Sequence, residues 1–387
     1  MSFIPYGRQS VDNDDIESVA EVLRSDWLTT GPKIAEFEKV LCAITEAQYT
    51  VVVSSGTAAL HLSSLALLSE KDKVLTTPNS FAATANSILY AGGEPVFCDI
   101  TPDGNIDFDL CEEMIKKDVG IKAIYAVHFS GNPVCQAKLR YLRETYDIKI
   151  LEDCAHSIGA SDSGVKAGSC TASDCSVLSF HPVKHLTTGE GGAVTTNSKE
   201  IYEKVLKLRT HGIVRDGFLN DDMAYDSKGN RNPWYYEMQE LGYNYRITDI
   251  QCALGLSQIK RLGGFITRRR ELAKRYDAAF AAGAVRPLYT YNGRSSYHLY
   301  VAMADFEKLP LTRAEFFMKM RERGIGLQLH YIPINKQPYY KALGYGEEYT
   351  PFMDDYYEQC FSLPMYPSLT DAEQDMVIEA VMELMNG

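Results

Sequence analysis

Lys184 stands in the run VLSFHPVKHLTTGEGG, preceded by Pro182, flanked by His181 and His185 and trailed by Gly189, Gly191 and Gly192. A lysine in a half-buried, partly cationic pocket has a lowered amine pKa and becomes a nucleophile toward carbonyl groups, whereas a lone surface lysine does not. The histidine pair has the four-residue spacing of a helical metal site, but Pro182 interrupts it and no Glu occupies the middle, so no metal is expected. In ILEDCAH, Asp153 ends an apolar stretch, where a carboxylate is costly unless a positive or hydrogen-bonding group meets it. A protonated heterocyclic nitrogen meets that need; a helix cap or a structural ion pair would do the same.

A third cluster, Ser54-Ser55-Gly56-Thr57, lies between a β-branched run and the Ala/Leu stretch AALHLSSLALL. The free N–H groups of a helix starting there point at the strand end, with about half a unit of positive charge. Three charge-assisted bonds at about 1.5 to 3 kcal/mol each would hold a phosphate at micromolar affinity without Lys or Arg. The competing reading is an ordinary capped helix start. The run is neither G-x-G-x-x-G nor a P-loop, which disfavours NAD and ATP. A phosphate cradle, an acid facing a ring nitrogen and an imine-forming lysine are together what pyridoxal phosphate requires. Phe81, just past another strand-like run, is a candidate ring-stacking partner, with core packing as its alternative.

These groups act together only if the fold brings them to one edge. The runs YTVVVSSG, KVLTTP, EPVFCDI, AIYAVHFSG and IKILEDC are each followed by turn residues and a helical stretch, and CSVLSF and GAVTTN flank the lysine loop. That alternation predicts a mostly parallel α/β sheet covered by helices on both faces, with ligands outside the carboxyl ends of its strands. Ser10 to Leu41 reads as helical, capped at Val11-Asp12-Asn13 and broken at Ser25-Asp26. From Arg246 a long helix leaves the large domain, with Gly263-Gly264 as its joint. Beyond it HLYVAMAD and GLQLHYIPI read as strands, and LTRAEFFMKMRERG and DAEQDMVIEAVMELM as amphipathic helices. The expected organisation is a large cofactor domain over 1–255 and a smaller C-terminal α+β domain over 256–387. Between them Asp221 to Glu240 reads as a long loop or hairpin whose Trp234, Tyr235 and Tyr236 should be kept from water.

Composition narrows the class further. Lys+Arg 39 against Asp+Glu 51 leaves a net charge of −12, which argues against a nucleic-acid surface but not against one locally held phosphate. No apolar run nears the roughly 18 residues of a membrane helix, and the opening MSFIPYGRQSVDNDD lacks signal-peptide regions. Nine cysteines without a C-x-x-C read as reduced thiols, so a cytoplasmic setting is expected.

Over essentially its full length the chain resembles the DegT/DnrJ/EryC1/StrS sugar aminotransferases, of the fold-type I class of pyridoxal phosphate enzymes. The stretches that carry the resemblance are LTTGP, SSGTAAL, TTPNSFAATAN, EDCAHSIGA, SFHPVKHLTTGEGGAV, LGYNYRITDIQCALGLSQ, LQLHYIP and SLPMYPSLTD. HPVKHLTTGEGGAV and PWYYEMQELGYNYR resemble most the branch acting on UDP-linked 4-keto sugars in pseudaminic acid synthesis. The resemblance implies that Lys184 is the Schiff-base lysine and Asp153 the acid on the pyridine nitrogen. It places His156 near the ring, Gly56, Thr57 and Ser179 at the phosphate, and Asn244 at the phosphate of a partner subunit, so that a homodimer completes the site. Tyr6, Asp26-Trp27-Leu28-Thr29 and Gln328-Leu329-His330-Tyr331 match segments lining the nucleotide-sugar side. Amination at C4 of a UDP-linked 4-keto-6-deoxy-N-acetylhexosamine with glutamate as donor is what it implies about activity. The alternatives are another nucleotide-linked 4-keto or 3-keto hexose, a non-catalytic sensory binder of the cofactor, or a cofactor-free phosphate module.

Overall fold

The computed structural model describes residues 3–386. The expected N-terminal helical segment is two helices, α1 (Asn13–Leu23) and α2 (Pro32–Thr45), parted by a turn across Ser25 and Asp26. Asp12 caps α1: its carboxylate accepts from Asp15 N while the Asp15 carboxylate accepts from Asp12 N, both at 3.1 Å.

Seven strands follow: β1 (Tyr49–Val53), β2 (Lys73–Thr76), β3 (Glu94–Phe97), β4 (Ile121–Val127), β5 (Lys149–Asp153), β6 (Cys175–Ser179) and β7 (Gly192–Thr196). They form one sheet in the order β1-β7-β6-β5-β4-β2-β3. β7 runs antiparallel to β1 and β6, and every other neighbouring pair is parallel. The helices α3 (Gly56–Leu67), α4 (Ala82–Tyr90), α5 (Phe108–Lys117), α6 (Gln136–Tyr146) and α7 (Lys199–Arg209) fill the crossovers and the sheet faces. β4 inside the sheet and β1 at its edge are both covered on their two faces, which is why they read as continuous apolar runs rather than alternating ones.

α8 (Asp249–Gln258) starts at a Thr248/Gln251 capping box. A 3₁₀ turn over Ile259–Arg261 separates it from α9 (Leu262–Ala279). The helix is therefore interrupted just ahead of Gly263-Gly264, and both glycines lie inside α9 with open space where a Cβ would stand. β8 (Val285–Pro287), β9 (Tyr300–Ala304) and β10 (Cys360–Leu363) make a second, antiparallel sheet. Helices Arg313–Glu322 and Asp371–Asn386 lie where the amphipathic patterns put them. Their shared core joins Tyr276, Tyr300, Phe316, Phe361 and Val381, and it also takes in Ile4 from the other end of the chain.

Two expectations fail. GLQLHYIPI is not a strand: Ile325 bridges Ile4 and Gln328 bridges Ser362, but β10 occupies the sheet position beside β9. Pro333 has no N–H to extend a ladder, and the segment bends so that Gln328 to Tyr331 line a cavity. The second failure concerns the arm after α7. Ile213–Val214 pairs with Glu237–Met238 as a hairpin, yet Trp234 is 75% exposed and Tyr236 is also open to water. Tyr235 alone of the three packs well, edge-on to Phe218 at 4.9 Å. The arm projects off the core, so one chain offers those rings no neighbour. Among the described residues, no helix is long and apolar enough to cross a membrane.

Candidate active site

A cavity of about 570 Å³ opens at the carboxyl ends of β5 and β6, between the large sheet and the Gln328–Tyr331 segment. On its floor, Asp153 closes β5. Its Oδ2 accepts from Thr84 Oγ1 at 2.7 Å and its Oδ1 from Ala155 N at 3.0 Å, which leaves acceptor capacity facing the cavity.

At one end of the cavity α3 begins. Ser55 Oγ accepts from Ala58 N at 3.1 Å as the cap, which leaves the first-turn N–H groups of Gly56 and Thr57 for a ligand. A Cβ on Gly56 would stand 3.0 Å from the Ser179 side chain at the tip of β6. Glycine there is what lets helix start and strand tip close into one cradle. Gly192 serves the same approach, because a Cβ on it would stand 2.5 Å from Ser55 O.

The lysine loop is compact rather than loose. Thr188 N and Thr187 Oγ1 both donate to Phe180 O, at 3.0 and 3.2 Å, and Phe180 N donates to Gly191 O. Lys184 projects from it, half-buried, with Nζ 3.4 Å from His298 Nε2. Burial pushes its amine down to about 8; Asp153 pulls the other way and Arg269 adds to the fall. The cation environment anticipated from the flanking histidines is real but comes from elsewhere. His185 is buried and donates Nε2–H to Ser296 O at 3.0 Å, while His181 is exposed at the rim. The two do not converge on a metal. Among the described residues one His/Cys/carboxylate group is close enough for an ion, His128, Glu152 and Cys154, and it is fully buried and internally hydrogen-bonded.

His156 lies on the cavity wall, hydrogen-bonded through Nε2 to Tyr331 at 3.2 Å, with a buried Nδ1 that has no partner. Burial, then Lys184, hold it well below the ordinary histidine range. Phe81 is 63% exposed, which dismisses core packing, and it faces Tyr331 across 6.4 Å. Tyr6, Gln328, Leu329 and His330 complete the mouth. His330 Nδ1 is tied to Ser362 Oγ at 2.8 Å, and burial takes the ring down to about 3.

Thus Gly56, Thr57, Phe81, Asp153, His156, Ser179, Lys184, Tyr6 and Gln328 to Tyr331 share one cavity. Asp26 to Thr29 and Asn244 do not line it within this chain. Leu28 O accepts from Asp249 N and Thr29 bridges Thr248, which holds that turn against the start of α8. Asn244 is exposed, and its sequence neighbours Tyr243 and Tyr245 stack on each other. Sequence reasoning missed Thr84 and His298. Thr84 sits within TTPNSFAATAN, where a hydroxyl one turn past Ser80 was a usable signal; His298 had none. The donor set fits pyridoxal phosphate: an N–H and hydroxyl cradle that a Cβ would fill, an acid with spare acceptor capacity, and a lysine of lowered basicity.

Residues 9–382 match the model of the DegT/DnrJ/EryC1/StrS aminotransferase family. The chain is 37% identical over 391 residues to the spore coat polysaccharide biosynthesis protein SpsC of Bacillus subtilis, covering 100% of this chain and 98% of that protein. It is 36% identical over 386 residues to a UDP-4-amino-4,6-dideoxy-N-acetyl-beta-L-altrosamine transaminase of Campylobacter jejuni, covering 99% and 97%. Among solved structures, Helicobacter pylori PseC, described as an aminotransferase of pseudoaminic acid biosynthesis, superposes with a TM-score of 0.90 at 30% identity over 100% of both chains. The PLP form of a sugar aminotransferase, Spr1654 of Streptococcus pneumoniae, gives 0.87 at 28% identity over 99% of both.

Proposed function

Since the chain belongs to the DegT/DnrJ/EryC1/StrS aminotransferase family and is a pyridoxal-phosphate-dependent sugar aminotransferase, we propose that it aminates C4 of a UDP-linked 4-keto-6-deoxy-N-acetylhexosamine, with glutamate as amino donor, in pseudaminic acid or related amino-sugar synthesis. The observation that carries this reading is the convergence, in one cavity, of Asp153, Lys184 and the α3 cradle with the Tyr6 and Gln328–Tyr331 mouth. The 36% identity to the Campylobacter jejuni altrosamine transaminase over nearly the whole chain supports the sugar class. End-to-end similarity to transaminases leaves the sensory and cofactor-free readings without support.

When bound, the cofactor supplies a carbonyl that accepts the amino group and a ring that stabilises a carbanion. The protein's own groups do the rest. Gly56 and Thr57 N–H groups and the Ser179 hydroxyl hold the phosphate. Asp153 keeps a proton on the ring nitrogen, and Thr84 orients that carboxylate. Lys184 would be the residue that bonds the cofactor, and its Nζ, an amine lowered to about 8, would be suited to carry a proton. Tyr6, Gln328, Leu329, His330 and Tyr331 bind the nucleotide sugar, while the Asp26–Thr29 turn lies outside that cavity in a single chain.

A second copy of the chain completes the site by bringing Asn244 to the phosphate. Leu219, Trp234 and Leu241 on the same arm are 81%, 75% and 79% exposed, apolar side chains that such a partner would cover. A cytoplasmic setting suits nine cysteines that are all free, including Cys98 and Cys111 with sulfurs 3.5 Å apart.

Purified protein mixed with glutamate and the keto sugar should release 2-oxoglutarate and a 4-amino sugar. Absence of that product, alongside turnover of a different nucleotide-linked keto hexose, would replace the proposed substrate. Full turnover by Lys184→Ala would end the assignment of the lysine.

A further inference from the structure

His298 reaches the active site from the other sheet. It lies in the Ser295–Leu299 segment that leads into β9, 114 residues from the lysine it faces. That segment is tightly pinned: Ser296 N donates to Gly131 O and Leu299 N to Ser130 O. The Tyr297 and His298 carbonyls accept from Arg269 Nη1 at 3.2 and 3.1 Å, and the same nitrogen donates to Met365 O at 2.8 Å. Arg269 is fully buried on α9, and its hydrogen-bond partners are carbonyls rather than a carboxylate. It therefore ties the lead into β9 to the chain just past β10 and adds a fixed positive charge behind the histidine.

The ring of His298 lies 4.3 Å from that of His156 and 5.7 Å from that of His185. Its Nδ1 is buried without a partner, so the contact of Nε2 with Lys184 is what fixes the ring's side-chain hydrogen bonding. The charged and titratable groups close enough to act on Lys184 are Asp153, Arg269, His156, His185, His298 and His330. Asp153 is the anion among them. Burial, reinforced by Lys184 and the neighbouring rings, pushes His298 well below the ordinary histidine range, so it stays neutral. A neutral imidazole offers the amine an acceptor without adding charge. A carboxylate in the same place would hold the lysine protonated, and an apolar side chain would leave it free to swing.

We propose that His298 is a positioning residue for Lys184, its Nε2 holding the lysine amine in place whenever that amine is not bonded to the cofactor. This rests on Lys184 being the lysine that bonds the cofactor, and the two ideas separate experimentally. Borohydride reduction of the pyridoxal phosphate form, followed by peptide mass spectrometry, must place the cofactor's mass on Lys184. If it falls elsewhere, both the assignment and this inference are lost.

With that mark in place, the protein loaded with pyridoxamine phosphate has a free Lys184 amine. Competitive labelling with acetic anhydride across pH should give it a midpoint near 8. In His298→Leu the charged amine loses its acceptor in a dry site, and the midpoint should fall by about one unit. His298→Gln, whose amide oxygen reaches the Nε2 position, should restore it. His298→Asn keeps polarity but is too short, and should behave like the Leu variant even if the latter folds poorly. In steady state the Leu and Asn variants should lose about tenfold in kcat, with the keto-sugar KM within about twofold and Gln recovering most of the loss. A wild-type labelling midpoint and wild-type kcat in His298→Asn, with the cofactor still on Lys184, would overturn the proposal alone.

Discussion

Glu152 and Asp153 are neighbours on β5, both buried carboxylates, and they point to opposite faces of the sheet. Glu152 is closed in. Oε2 meets His128 Nε2 at 3.0 Å and Gln136 Nε2 at 2.5 Å, and Oε1 accepts from Ser173 Oγ at 2.5 Å and Ser176 Oγ at 3.4 Å. Burial raises its pKa, but the hydrogen bonds led by His128 outweigh that and hold it below the usual value of 4.5. Asp153 has two protein partners, Thr84 and the Ala155 amide, and faces the cavity. Two acids with the same burial thus differ in what their oxygens still lack. A carboxylate whose acceptor capacity is filled by protein is structural, and one left partly open on a cavity is available to a ligand.

The comparison breaks first at Asp153. Asp153→Asn should keep the fold and the thermal midpoint within a few degrees while lowering kcat by about 10² to 10⁴. Near-native kcat with a lowered melting temperature would make Asp153 structural after all.

Glu152 should behave in the opposite way. Glu152→Ala strands His128, Ser173 and Gln136 and should cost about 3 to 5 kcal/mol in denaturant melts, with kcat per folded molecule close to the parent's. Its sign with pH follows from the depressed pKa: the stabilisation is present above the unfolded value near 4.5 and is lost as pH falls below it through the folded value. The gap in stability between the parent and Glu152→Gln should therefore narrow below pH 4.5. A gap that widens there would contradict the charge state assigned to Glu152.

The smallest effect sharpens the same contrast at the hydroxyl behind Asp153. Thr84→Val removes one charge-assisted hydrogen bond without emptying space, and should weaken cofactor affinity by about tenfold, read by titration of visible absorbance. No change would mean that Ala155 N alone orients the carboxylate.

Much of this was legible before the fold. The seven strand runs of the large sheet, the capped start of α1 and the turn after it follow from hydrophobic runs, caps and turn residues, each a local property of a few consecutive side chains. Asp153 and Lys184 stood out because each lies at a strand end with unusual neighbours. The Gln328–Tyr331 segment misled, because its β-favouring composition serves a cavity wall while the less conspicuous CFSL takes the ladder. Trp234 and Tyr236 misled because aromatic content signals burial somewhere but not within which chain.

By itself the sequence determined the class of elements and singled out the helix start at Gly56, the Asp153 carboxylate and Lys184 as candidates, because backbone dihedrals, caps and strand-end chemistry are settled over short spans. Tertiary structure alone decided what meets that lysine and that acid. His298 is 114 residues from Lys184, and Tyr331 is 175 from His156. Pairs so far apart leave no periodic or local mark, since they are created when two separately patterned sheets pack, with a buried Arg269 fixing the lead into β9 against the chain just past β10.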